Sequence, residues 1–191
     1  MNMTSFLLYC IIATFTPGPT NIVILSTVHH FGTKKAIQYT YGATFGFALL
    51  LFISAILNSV LITVLPRVMI IMQVIGSLYM LYLTYLICIK KSSESDSKHL
   101  ATFWSGFIMQ FLNPKVVLFT LTVIPTFIMP YYNSGTAMTL SIMVITIIGF
   151  AAFMTWLIFG AIFKTFLQKH QKIVNLVMGI GLIYAALMIW I

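Results

Sequence analysis

Two short stretches hold the residues best equipped for chemistry, Thr16-Pro17-Gly18-Pro19-Thr20-Asn21 and Asn113-Pro114-Lys115. Both set prolines in apolar surroundings beside side chains that donate and accept hydrogen bonds. A proline inside a helix removes a backbone donor and clashes with the preceding turn. Pro17, Gly18 and Pro19 together therefore predict a broken helix, and Pro114 predicts a second helix that is at least kinked. The half-helix restarting after each break presents free N–H groups and the positive end of its dipole. Thr16, Thr20, Asn21 and Asn113 stand beside those ends, and Lys115 adds a full charge. Such an arrangement suits a small anionic group, most naturally a carboxylate. The competing reading is that the prolines only kink two helices while Asn and Thr cap their own turns.

The elements that must position these residues are membrane spans. With 61% hydrophobic and 6% charged residues and a mean hydropathy of +1.07, the chain lies far outside the ordinary soluble mix. Its 191 residues accommodate six spans in one transmembrane domain, with no separate globular part. Apolar runs place the spans at Met3 to Val28, Gln38 to Val64, Val68 to Ile89, Phe103 to Met129, Ala137 to Phe163 and Ile173 to Ile191. Pro66 is expected to break the second from the third, and the run from Pro130 to Gly135 to turn the fourth into the fifth. The first Lys or Arg is Lys34, so no basic segment marks a removable signal peptide.

Positive charge orients the spans. Lys34 and Lys35 fall in the first loop, Lys90, Lys91 and Lys98 in the third, and Lys164, Lys169 and Lys172 in the fifth, whereas the second loop has only Arg67. Loops rich in Lys and Arg stay cytoplasmic, which puts both termini outside. Trp104 and Tyr39 are expected at the inner interface, and Tyr131, Tyr132 and Trp190 at the outer one. The net charge of +8 is accounted for by these loops, and with no soluble surface to carry a basic footprint a nucleic-acid partner is excluded. Cys10 and Cys88 are read as unpaired core residues on opposite sides of the membrane.

The linker 90–102 divides the chain into halves, 1–89 and 103–191, of three spans each. An odd number of spans inverts a repeated unit, the 3+3 plan of many secondary transporters. The first span of each half carries the proline break, and the last carries Gly-x-x-Tyr, at Gly76 to Tyr79 and Gly181 to Tyr184. At about 1.5 Å per residue from Trp104, Pro114 lies roughly 15 Å deep, near the midplane of a core about 30 Å thick. The first break reaches a similar depth from the other side. Backbone groups freed there cannot be satisfied by lipid, so both breaks must face protein or water.

Lys115 is costly at that depth, about 2.5 to 3.5 kcal/mol on insertion scales, and should face inward unless it snorkels to the cytoplasmic interface. The two acidic residues, Glu94 and Asp96, both fall in the linker. Proton coupling would therefore run through Lys115, or through His29 or His30, whose plainer reading is as interfacial residues of a basic loop. Asn58, Gln73, Gln110, Thr155 and Asn175 read as helix-to-helix hydrogen-bonding groups, and Gly42 and Gly46 as a close-packing pair. No His/Cys/acid spacing suits a metal, and no cofactor motif is present.

Taken together, the run from Thr16 to Asn21 with Phe31-Gly32, Lys34 and Lys35, the Gly42/Gly46 pair, the stretch Gly76 to Tyr82, and Phe111-Leu112-Asn113-Pro114-Lys115 resemble the LysE/RhtB family of amino-acid exporters. The resemblance spans nearly the whole chain. It implies export of amino acids or close derivatives across the cytoplasmic membrane, driven by protons, with Pro17, Gly18, Pro19, Asn113, Pro114 and Lys115 as the matching motif positions. Some members carry a polar or acidic residue just after the second glycine of the second span, where this chain has Phe47. With no carboxylate in a span to meet a cationic side chain, a neutral amino acid is the expected cargo.

Two other classes compete. Broken helices at mid-depth also build channel filters. A related exporter of metal cations is disfavoured by the lack of acidic residues in the spans. An enzyme is not expected, because no nucleophile, base and orienting partner occur together, and no ATP-binding loop is present. The sequence leaves homo-oligomerisation open.

Overall fold

The computed structural model describes residues 2–88, 101–132 and 134–188. The linker segment with Lys90, Lys91, Glu94, Asp96, Lys98 and His99 lies outside them, as do Ile89, Asn133, Trp190 and Ile191, and the side chains of Asn58, Pro66, Arg67 and Gln73. Among the described residues every element is helical: α1 (Met3–Phe15), α2 (Pro19–Phe31), α3 (Thr33–Cys88), α4 (Phe103–Leu112), α5 (Pro114–Val123), a widened π turn (Ile124–Ile128), α6 (Gly135–Ile162), α7 (Lys164–Lys169) and α8 (Gln171–Met188).

The surface is inverted relative to a soluble protein. Phe45, Ile56, Leu78, Ile147 and Ile162 are exposed, while Thr20, Asn21, Gln110, Asn113 and Thr120 are buried. That distribution is the one lipid demands. Thr33–Leu57 and Gly135–Ile162 are each long and apolar enough to cross a membrane, and the bent pairs α1/α2 and α4/α5 raise the number to four if each is one span.

The breaks fall where the prolines require. α1 and α2 are bent by 46° around Thr16-Pro17-Gly18, and α4 and α5 by 67° at Asn113. Pro19 and Pro114 each occupy the first helical position, where the missing N–H costs nothing. The helices thus restart at these prolines, one residue earlier than a restart after them. Pro125 opens the π turn at Ile124–Ile128, for the same want of a donor.

Pro66 does not end the helix as expected: the helical trace runs on from Thr33 to Cys88. One proline removes one hydrogen bond and can bend a helix without stopping it. The trace nevertheless folds back. Gly46 lies against the Phe107 carbonyl and Gly76 against the Leu112 carbonyl, whereas thirty residues of straight helix would hold these glycines about 45 Å apart. The returning arm runs antiparallel to α8, with the Ser77 hydroxyl donating to the Ala186 carbonyl and the Cys88 thiol to the Asn175 carbonyl.

Two other sequence expectations are corrected. Tyr39 is fully buried, not interfacial, in the cluster that also holds Met80, Leu83, Met109 and Leu182. Cys88 is exposed, while Cys10 is buried as expected. Trp104, Tyr131 and Tyr132 are exposed.

The Gly42/Gly46 pair does pack two helices tightly. A Cβ on Gly42 would lie 1.8 Å from the Phe103 carbonyl oxygen and one on Gly46 2.6 Å from that of Phe107. Gly106 on α4 reciprocates against the Tyr39 carbonyl. Gly42→Ala is therefore expected to force the helices apart and cost about 1–3 kcal/mol. Thermal melting of detergent-purified protein checks this, and a wild-type melting temperature would contradict it.

Candidate functional site

The α1/α2 break leaves carbonyls that no helical amide can reach. Pro17 and Pro19 have no N–H to offer Ala13 and Phe15, the residues four before them. Other helices supply donors instead. The Trp156 indole of α6 donates to the Phe15 carbonyl at 3.2 Å. Asn21 Nδ2 of α2 donates to the carbonyls of Thr14 and Thr16, at 3.1 and 3.0 Å. Lys115 Nζ of α5 donates to the same Thr16 carbonyl at 2.9 Å. The two breaks therefore meet, joined through Thr16 and Lys115.

A second set of bonds ties the far sides. The Thr20 hydroxyl accepts from Asn113 Nδ2 at 3.0 Å and from Gln110 Nε2 at 3.3 Å. Gly18 packs directly on the Lys115 side chain.

The two helix ends differ. At α5, Asn113 Oδ1 caps the Lys115 amide at 3.2 Å and the Asn113 carbonyl accepts from Val116 and Val117. Self-capping, the plainer reading of that asparagine, thus applies there, and α5 offers the ammonium of Lys115 in place of open amides. At α2, Gly18 provides no side-chain cap, so the amides of Thr20 and Asn21 keep their free, electropositive direction. Asn21 is 3% exposed and its Oδ1 has no hydrogen-bond partner among the described residues. Its orientation is fixed, because a flipped amide would aim oxygen at two carbonyls.

Several of these residues line a cavity of about 40 Å³. Its polar wall is Thr14, Gly18, Thr20, Asn21, Asn113 and Lys115; its apolar wall includes Phe47, Phe119 and Phe153. The Phe47 ring stacks on Phe119 at 5.9 Å and meets Phe153 edge-on at 6.4 Å. Thr16 does not line the cavity: its carbonyl accepts from Lys115 Nζ and its hydroxyl donates back to the Ile12 carbonyl. Pro17 is exposed, and Pro19 and Pro114 are buried and shape the breaks without lining the cavity.

Sequence reasoning missed Trp156 and Phe153, which lie far along the chain from either motif, and Phe119, one helical turn after Lys115 and legible from its i, i+4 spacing. Gln110 bonds across to α2, as a helix-to-helix group should, whereas Thr155 bonds back to Ala151 within its own helix. His29 is buried at the end of α2, with its ring 4.4 Å from that of His30 and away from the cavity, and so is not the interfacial residue expected. Among the described residues no group of three His, Cys, Asp or Glu could hold a metal ion.

An apolar exterior enclosing a polar pocket between two broken helices is the build of a membrane transporter. Comparison with known proteins agrees. The family profile described as LysE type translocator matches residues 11–191. The cysteine/O-acetylserine efflux protein of Klebsiella pneumoniae is 27% identical over 188 residues, covering 98% of this chain and 96% of its own. Those of Salmonella typhimurium and Escherichia coli K12 are each 25% identical, covering 100% and 98% of this chain and 98% and 97% of their own. No solved structure is a significant match. The chain belongs to the LysE type translocator family and is a membrane transporter, not an enzyme.

Asn21→Leu keeps the bulk of the side chain and removes both donors to the α1 carbonyls. It is expected to destabilise the protein by about 1–3 kcal/mol, the cost of a buried carbonyl left unpaired. The check is the detergent melting curve, and an unshifted midpoint would show that these bonds do not hold the break.

Proposed function

We propose that this chain is a secondary exporter of small neutral amino acids or close derivatives across the cytoplasmic membrane. The observation that carries this reading is that Lys115, the uncapped start of α2 at Gly18, Thr20 and Asn21, and Asn113 line one cavity, with Asn21 Oδ1 unpartnered among the described residues. A carboxylate meets Lys115 and the amides of Thr20 and Asn21; an α-ammonium meets Asn21 Oδ1; the cargo side chain faces Phe47, Phe119 and Phe153. Both acidic residues of the chain fall outside the spans, so the carboxylate beside Lys115 arrives with the cargo. Cysteine and O-acetylserine, named for the relatives, are neutral amino acids with this pairing of carboxylate and ammonium.

The architecture that serves this function is six spans in one domain, arranged as inverted halves 1–89 and 103–191, with both termini outside. Reciprocal packing supports it. Gly76, in the last span of the first half, rests on Leu112 and Pro114 at the second break, and Gly181, its counterpart, rests on Ile22 just beyond the first. Each half thereby grips the broken helix of the other. One half moving against the other gives alternating access, with protons as the driving ion and Lys115, His29 and His30 as the candidate carriers.

Vesicles loaded with labelled cysteine or O-acetylserine test this, with counterflow exchange distinguishing a carrier from a channel. Lys115→Met is expected to lower apparent cargo affinity roughly ten- to a hundredfold, the worth of a charge-assisted hydrogen bond. Undiminished efflux by that variant removes Lys115 from the mechanism.

A further inference from the structure

The cavity's apolar wall is set by a contact outside the polar site. Phe47 is 2% exposed and stands between α6 on one side and the cavity with Phe119 on the other. Gly149 of α6 forms its seat: a Cβ there would lie 2.5 and 2.8 Å from ring atoms Cε1 and Cδ1 of Phe47. Contacts that short do not occur, so any side chain at 149 must displace the ring by close to an ångström.

The ring has one direction to go. The backbone carrying it cannot retreat, because Gly42 and Gly46 already hold α3 in backbone contact with α4. The edge toward α6 is filled by Phe153. The free volume is the cavity itself, where Phe47 is a lining residue.

From this geometry we infer that Gly149 and Phe47 together form the size gauge for the cargo side chain: the bare α-carbon of Gly149 sets how far the ring withdraws, and so how large a neutral side chain the pocket admits. The inference rests on the proposed transport of amino acids and names what selects among them. Gly149 does not touch the cargo; it is a positioning residue acting through Phe47.

The test is efflux from vesicles loaded with a graded series of labelled alanine, cysteine, leucine and O-acetylserine, normalised to membrane protein level. Gly149→Ala is expected to lower the ratio of bulky to small cargo about tenfold, the scale of one methylene in an apolar pocket. Phe47→Leu, with Gly149 intact, is expected to raise that ratio, and the double variant to return it toward wild type. Rescue of this kind is not expected of a glycine that serves packing alone. A ratio unmoved by Phe47→Leu, or equal loss of every cargo in Gly149→Ala without rescue in the double variant, overturns the inference while wild-type efflux stands. Absence of efflux of any member of the series by the wild type overturns the transport reading itself, and the gauge with it.

Discussion

Everything at the centre of this protein follows from carbonyl oxygens that lipid cannot satisfy. Pro17 and Pro19 strip the last turn of α1 of its amide partners, and the three donors that replace them come from three different helices. Asn21 reaches back from α2, Lys115 reaches across from α5 and Trp156 reaches in from α6. An unpaired group in hydrocarbon costs several kcal/mol. The break therefore survives only while these helices stay together, and it works as a keystone as well as an interruption.

The same bonds hold the Lys115 side chain between the two breaks. Its ammonium rests on the Thr16 carbonyl and its stem lies along Gly18, where a larger residue would crowd it. A group held by one carbonyl retains two further donor directions. In the proposed cycle a cargo carboxylate engages those directions, so that binding acts on the contact joining the two broken helices. Recognition and conformational change then share one side chain.

Packing around the site is organised by small residues that let backbones touch. Gly42, Gly46 and Gly106 bring α3 and α4 together, while Gly149 makes room for an aromatic ring in place of a backbone. In a membrane there is no hydrophobic drive between helices, so close van der Waals contact and interhelical hydrogen bonds must hold the bundle. Tyr39, which a sequence reading assigns to the interface from its position alone, is buried among Met80, Leu83, Met109 and Leu182.

Much was legible in the sequence because lipid imposes short-range rules. Apolar runs marked helices, Pro17, Pro19 and Pro114 marked the breaks to within a residue, Gly42 and Gly46 announced close packing, and Lys115 stood out as a charge in the wrong solvent. These depend only on a residue and its chain neighbours. What the tertiary structure alone decided depends on partners distant in sequence: that Trp156 completes the first break, that Lys115 reaches the Thr16 carbonyl, that the two arms of α3 double back on each other, and that Phe47, Phe119 and Phe153 close one pocket. Hydropathy and proline chemistry act locally, whereas hydrogen-bond pairing and ring packing are settled only once the helices have chosen their neighbours.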